Sequence, residues 1–136
     1  MMIKKIEHIG IAVENPEKSN EIFEKLFGEV TYKTEMVESE GVKTYFYKLG
    51  ESKIELLEAT NENSPIKKFI NKRGQGMHHL ALHVEDIYTE LARLTNLGFE
   101  AIGEIKQGAD NKLICFLHPK CTGGVLIELC QEKDSL

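Results

Sequence analysis

Apolar residues recur along this chain with two different periods, and the order in which the periods appear is written out twice. Residues 8–15 read HIGIAVEN and residues 79–86 read HLALHVED, each a histidine opening an alternating apolar run that closes on an acidic residue and a helix cap. The offset is 71. A second echo follows in each half: KIELLE from Lys53 and LIELC from Leu126 share the triplet Ile-Glu-Leu at an offset of 73. Two copies are too few for a solenoid, so the pattern predicts a paired module.

Between the echoes the elements match. Asn15 and Pro16 form a helix cap and first helical position, Ile22, Phe23, Leu26 and Phe27 share a stripe, and Gly28 is a stop, predicting a helix over 16–27. In the second half Asp86 caps a stripe of Ile87, Leu91, Leu94 and Leu97 that ends at Gly98, predicting a helix over 87–97. Runs rich in β-branched and aromatic residues follow each helix. They predict strands at 30–36, 42–49 and 54–57, then at 99–102, 112–117 and 125–129. Each half therefore reads β-α-β-β-β. The fold class is α+β, with two such modules, about 1–60 and 75–136, joined by a connector over 61–74 that carries a short helix of its own.

Length and charge narrow the options. At 136 residues and 41% hydrophobic the chain suits one domain with a real core, and a net charge of -5 offers no basic field for a nucleic-acid backbone. No apolar run reaches the length of a membrane span or a signal-peptide core, so the expectation is a cytoplasmic protein that binds neither nucleic acid nor membrane. Cys115, Cys121 and Cys130 lack paired C-x-x-C spacing, which leaves buried, reduced thiols as the reading.

Four residues fit a core poorly. In the first strand Ile9, Ile11 and Val13 point one way, and His8, Gly10 and Ala12 the other. In the strand at 79–84, Leu80, Leu82 and Val84 oppose His79, Ala81 and His83. Glu55 and Glu128 each sit between two apolar neighbours, on the face away from them. An enclosed carboxylate needs compensating positive charge. Two imidazoles and two carboxylates suit a divalent ion such as Co²⁺, Ni²⁺, Mn²⁺, Fe²⁺ or Zn²⁺. The alternative is that the glutamates lie on a solvated face and each histidine is structural. The equivalence of all four residues under the duplication favours the shared site. His78 and His83 read as supporting or packing residues, and His118, before Pro119, as a turn residue facing either a ligand or solvent.

These features resemble the vicinal oxygen chelate superfamily, in which paired β-α-β-β-β modules curve into an open barrel around a metal. SPIKKFINKRGQGMHHLALHVEDI (64–87) and FLHPKCTGGVLIEL (116–129) are similar to characteristic segments of its methylmalonyl-CoA epimerase family. The resemblance implies metal ligands at His8, Glu55, His79 and Glu128, with Co²⁺ foremost among the ions, and Glu128 as the first proton-transferring base. It also implies a CoA thioester substrate and a homodimer. His118 and Lys120 become candidate substrate contacts, and Lys67, Lys68, Lys72, Arg73 and Lys120 either phosphate partners or a solvated face. Some family members use a second glutamate where this chain has Thr44, which leaves the opposed base to Glu55, or to a water or Glu40. A second departure is QGADNK (107–112), where relatives commonly carry Gly-Ala-His-Gly. Lactoylglutathione lyase, with a similar ligand set, and metal-free drug-binding proteins on the same modules are the alternative expectations.

Overall fold

A computed structural model describes residues 2–133. Eight strands and three α-helices follow one another as β1 (Ile3–Ala12), α1 (Pro16–Phe27), β2 (Lys33–Val37), β3 (Val42–Leu49), β4 (Ser52–Ala59), α2 (Pro65–Arg73), β5 (Gly76–Val84), α3 (Ile87–Asn96), β6 (Ala101–Gln107), β7 (Lys112–Leu117) and β8 (Ile127–Glu132). The fold is α+β, with each half running β-α-β-β-β as the repeat predicts. By its contacts the chain forms two compact units. One is continuous, Ile9–His78; the other joins the beginning of β1, through His8, to the chain from His79 onward.

In the continuous unit β2, β3 and β4 form an antiparallel meander in which Thr44 pairs with Leu57 and Phe46 with Glu55. Asn15 caps α1 by accepting from the Lys18 N–H at 3.1 Å, and Gly28 closes it with φ 75°, a left-handed conformation that suits glycine. Phe23 and Phe27 of α1 pack on Val13, Tyr47 and Leu56. The opposite face is covered as well. Ile66, Phe69 and Ile70 of α2 pack on Ala12 and Leu57, so the segment read as a connector is a layer of this unit. Ser64 starts that helix by accepting from the Ile66 N–H at 3.1 Å.

The second unit brings β5 parallel to β8 and β8 antiparallel to β7, with β6 on the outer side of β7. Its main core is Val84, Ile87, Leu94, Cys115, Leu117 and Leu129. Asp86 caps α3 by accepting from the N–H groups of Tyr88 and Thr89. Glu90, wholly buried on α3, accepts from the Arg93 guanidinium at 2.9 and 2.7 Å, and that paired bond holds its carboxyl below the usual range.

Strand ends depart from the sequence pattern for local reasons. β8 begins at Ile127 rather than Val125 because Gly123 and Gly124, both with positive φ, place Val125 in a turn. β6 runs to Gln107 because the strand continues through a register shift after Ile102, where Gly103 at φ 72° breaks the apolar run. β2 starts at Lys33, three residues later than the pattern suggests. Cys115 and Cys130 are buried and Cys121 is half-buried, so the expectation of buried thiols holds for two of the three. No helix of the described residues is long and apolar enough to cross a membrane.

Candidate metal centre

Three of the four predicted ligands meet within the second unit. His8 arrives on β1, His79 on β5 and Glu128 on β8, and all three are buried. The Nε2 atoms of the two histidines are 3.0 Å apart. Glu128 Oε1 lies 3.2 Å from His8 Nε2 and 2.9 Å from His79 Nε2. The register explains the room available to them. Glu128 is opposite Ala81 on β5 and Phe116 on β7, so a methyl group stands on one side and a ring on the other. The Phe116 ring meets His79 nearly at right angles, with centroids 5.7 Å apart, and fixes one wall.

The electrostatics of this triangle favour a cation. Burial alone would raise the Glu128 carboxyl, but the two imidazoles, His79 foremost, hold it well below the usual carboxylate range. Glu128 is therefore ionised. Although two ring nitrogens lie within 3.2 Å, no well-directed hydrogen bond reaches its Oε1. Three potential ligand atoms, two of them paired with each other and the third a buried carboxylate oxygen, thus crowd within 3.2 Å of one another. The donor set of two imidazole nitrogens and a carboxylate suits a divalent transition metal.

A buried carboxylate that the sequence pattern did not single out adjoins the cluster. His8 Nδ1 donates to Glu7 Oε1 at 2.7 Å, and Glu7 itself is 3% exposed. Cys130, two residues beyond Glu128 on the same face of β8, brings its sulfur within 4.8 Å of the ligand atoms of His8 and Glu128. Strand alternation from Glu128 could have found Cys130. Nothing in the alternation points from Glu7 to His8, because consecutive strand residues face opposite ways.

Glu55 belongs to the continuous unit. It is buried on β4, on the face that also carries Thr44, Phe46 and Leu57. Lys53, two positions earlier, stands on that same face of β4, a basic neighbour for the carboxylate. Glu35 on β2 pairs with Thr44, so a carboxylate stands one strand away from the threonine. Glu40 ends a short 3-10 turn after β2.

The remaining candidates are surface features. His118 begins a 3-10 turn and accepts from the Lys120 N–H at 3.2 Å, while Lys120 Nζ pairs with Glu100 at 3.0 Å. Lys67 lies 3.9 Å from Glu62 and the Arg73 guanidinium lies over the Phe69 ring. His78 packs edge-on against Phe69 at 5.0 Å, the packing role its sequence suggests. In the 107–112 segment Asp110 and Asn111 both take positive φ, which shapes a tight hairpin turn, and Lys112 is buried with Asp110 at 3.6 Å and Glu132 at 3.5 Å.

Comparison with known proteins places this arrangement in context. Residues 7–116 match the Glyoxalase/Bleomycin resistance protein/Dioxygenase superfamily. The mitochondrial methylmalonyl-CoA epimerase of Dictyostelium discoideum is 39% identical over 134 residues, covering 96% of this chain and 80% of that one. The ethylmalonyl-CoA/methylmalonyl-CoA epimerase of Cereibacter sphaeroides is 37% identical over 133 residues, covering 96% of this chain and 99% of that one. A solved methylmalonyl-CoA epimerase in complex with methylmalonyl-CoA and ammonium superposes with a TM-score of 0.90 at 33% identity, covering 96% of this chain and 95% of that one.

Proposed function

The chain belongs to the glyoxalase/bleomycin resistance protein/dioxygenase superfamily, and from that premise we propose that it is a metal-dependent epimerase interconverting the two epimers of methylmalonyl-CoA. The observation that carries this reading is the buried convergence of His8, His79 and Glu128 in a chain similar over nearly its whole length to epimerases of this substrate. The same reading takes residues 1–136 as one domain of two modules. Glu55 is its fourth ligand, supported by its burial and by the repeated Ile-Glu-Leu triplet.

Epimerisation inverts the carbon between a thioester carbonyl and a carboxylate. Its proton leaves, the electrons of the C–H bond move toward the carbonyl oxygen, and a proton returns on the other face. The α-proton is weakly acidic, so the site must supply a positioned base and stabilise the charge that develops on oxygen. A divalent ion held by these residues would polarise the carbonyl. Glu128, held ionised, is the group that accepts the proton, while the buried walls formed by Phe116 and Ala81 limit the water that could compete for it. Glu55 serves the opposite face, because Thr44 carries no group that could. Co²⁺ is the preferred ion, by resemblance. His118 and Lys120 meet the CoA portion, the protein acts as a homodimer in the cytoplasm, and its role is in propionate metabolism.

Methylmalonyl-CoA incubated with the protein in heavy water should take up deuterium at the α-carbon, and a chelator should stop the uptake. NMR reads both. Uptake that persists at full rate after complete metal removal overturns the metal-dependent reading, and no uptake with the metal loaded overturns the substrate. Glu55→Gln tests the second base, since the amide keeps an oxygen for a ligand and loses basicity. Interconversion should fall by roughly 10²-fold or more, the scale of a lost general base. Deuterium exchange should survive only on the face served by Glu128. Racemisation close to the unmodified rate would remove Glu55 from proton transfer.

A further inference from the structure

Glu7 is a carboxylate withdrawn from water where neither packing nor strand alternation asks for one. Residues 4–6 of β1 are exposed, yet Glu7 and His8, consecutive positions, are 3% and 6% exposed. Alternation would point the two side chains to opposite faces, but the Glu7 carboxylate instead meets the His8 ring at 2.7 Å. Burying a carboxylate is unfavourable by several kcal/mol unless strong hydrogen bonds or charges compensate. A glutamate also offers little apolar surface in return, and its carboxylate makes a short, buried contact with His8.

We propose that Glu7 is a positioning residue for the metal centre, fixing the His8 ring and its proton so that Nε2 is presented to the ion as a bare lone pair. The inference rests on the metal-dependent reading of the site. An ionised carboxylate can only accept, so the proton of the Glu7–His8 bond is on Nδ1. When the ring is neutral, as a metal ligand must be, it carries one proton, so Nε2 then has none. Nε2 is the atom that lies 3.0 Å from His79 Nε2 and 3.2 Å from Glu128 Oε1. The carboxylate thus turns the lone pair toward the cluster, and its charge makes that nitrogen a better donor to a metal.

The duplication places a contact of this kind, from the preceding residue, in one half of the repeat. At the offset of 71 that relates His8 to His79, the counterpart of Glu7 is His78, whose ring packs against Phe69 in the continuous unit. The second half therefore carries a ring where the first carries a carboxylate, and His8 is the histidine held by an anion from its own strand.

Titration of metal-free protein with Co²⁺ alone tests the role without reference to turnover. Glu7→Gln should weaken Co²⁺ binding by about 10–100-fold, the usual effect of losing a carboxylate behind a ligand histidine. In ¹⁵N spectra of the metal-free protein, taken at a pH where the ring is neutral, His8 should be mainly the Nδ1–H form, and in Glu7→Gln a mixture of both forms. Glu7→Asp, which keeps the charge but draws it back by one methylene, should lie between the two on both measurements, and it decides the matter should Glu7→Gln not fold. Co²⁺ affinity and His8 tautomer both unchanged in a folded variant overturn the proposal. His8→Ala in the same titration separates the two levels of argument. If it keeps full Co²⁺ affinity, the metal site itself is misassigned; if it loses the ion while Glu7→Gln keeps it, only the positioning role fails.

Discussion

Replacing either His8 or His79 with alanine should leave a folded protein that has lost most of its divalent ion, where the unmodified chain should hold about one. The Nε2 atoms of the two imidazoles lie 3.0 Å apart, with Glu128 Oε1 within 3.2 Å of both. Removing one leaves a pair of ligands from this cluster and an ionised, buried carboxylate with half its compensating partners. Such a remnant binds a divalent ion far more weakly, because each ligand lost removes a direct bond to the metal. Elemental analysis of gel-filtered protein gives the stoichiometry, and circular dichroism establishes that the variant is folded. Full occupancy in either folded variant would refute the ligand assignment.

Glu128→Gln should be more damaging to turnover than to metal content. The amide retains an oxygen that can face the ion, so some metal should remain, but it cannot accept a proton from carbon. Loss of a general base lowers rates by roughly 10²–10⁴-fold. Here the loss should lie at the upper end, because Glu128 is also the charge that the two imidazoles face. The decisive comparison is turnover per bound metal ion. Should that ratio stay near that of the unmodified protein, Glu128 holds the ion and does nothing further.

Much of this was legible in the sequence, and the reasons differ by element. α1 was readable to its ends because Asn15, Pro16 and Gly28 each perform a local task that no distant contact overrides. His8, His79 and Glu128 were readable because a duplicated pattern marks residues that a single strand would leave ambiguous. α2 was read as a connector with a helix of its own, since its short apolar cluster does not reveal that it packs on Ala12 and Leu57. β6 was cut short because a glycine at a register shift looks, in one dimension, like a strand end. Glu7 was missed for a stricter reason: alternation assigns it to the wrong face, and only the folded strand shows its carboxylate turned toward His8.

Strand β1 starts in one unit and finishes in the other, and this divides the site in time as well as in sequence. His8 leaves the ribosome early, followed by the whole of the continuous unit, and only then by His79 and at last Glu128. At about 5–20 residues per second, roughly 6–24 s separate the first of the three ligands from the last. No ion can be clasped by all three until Glu128 has been added, so the metal centre cannot form ahead of the continuous unit.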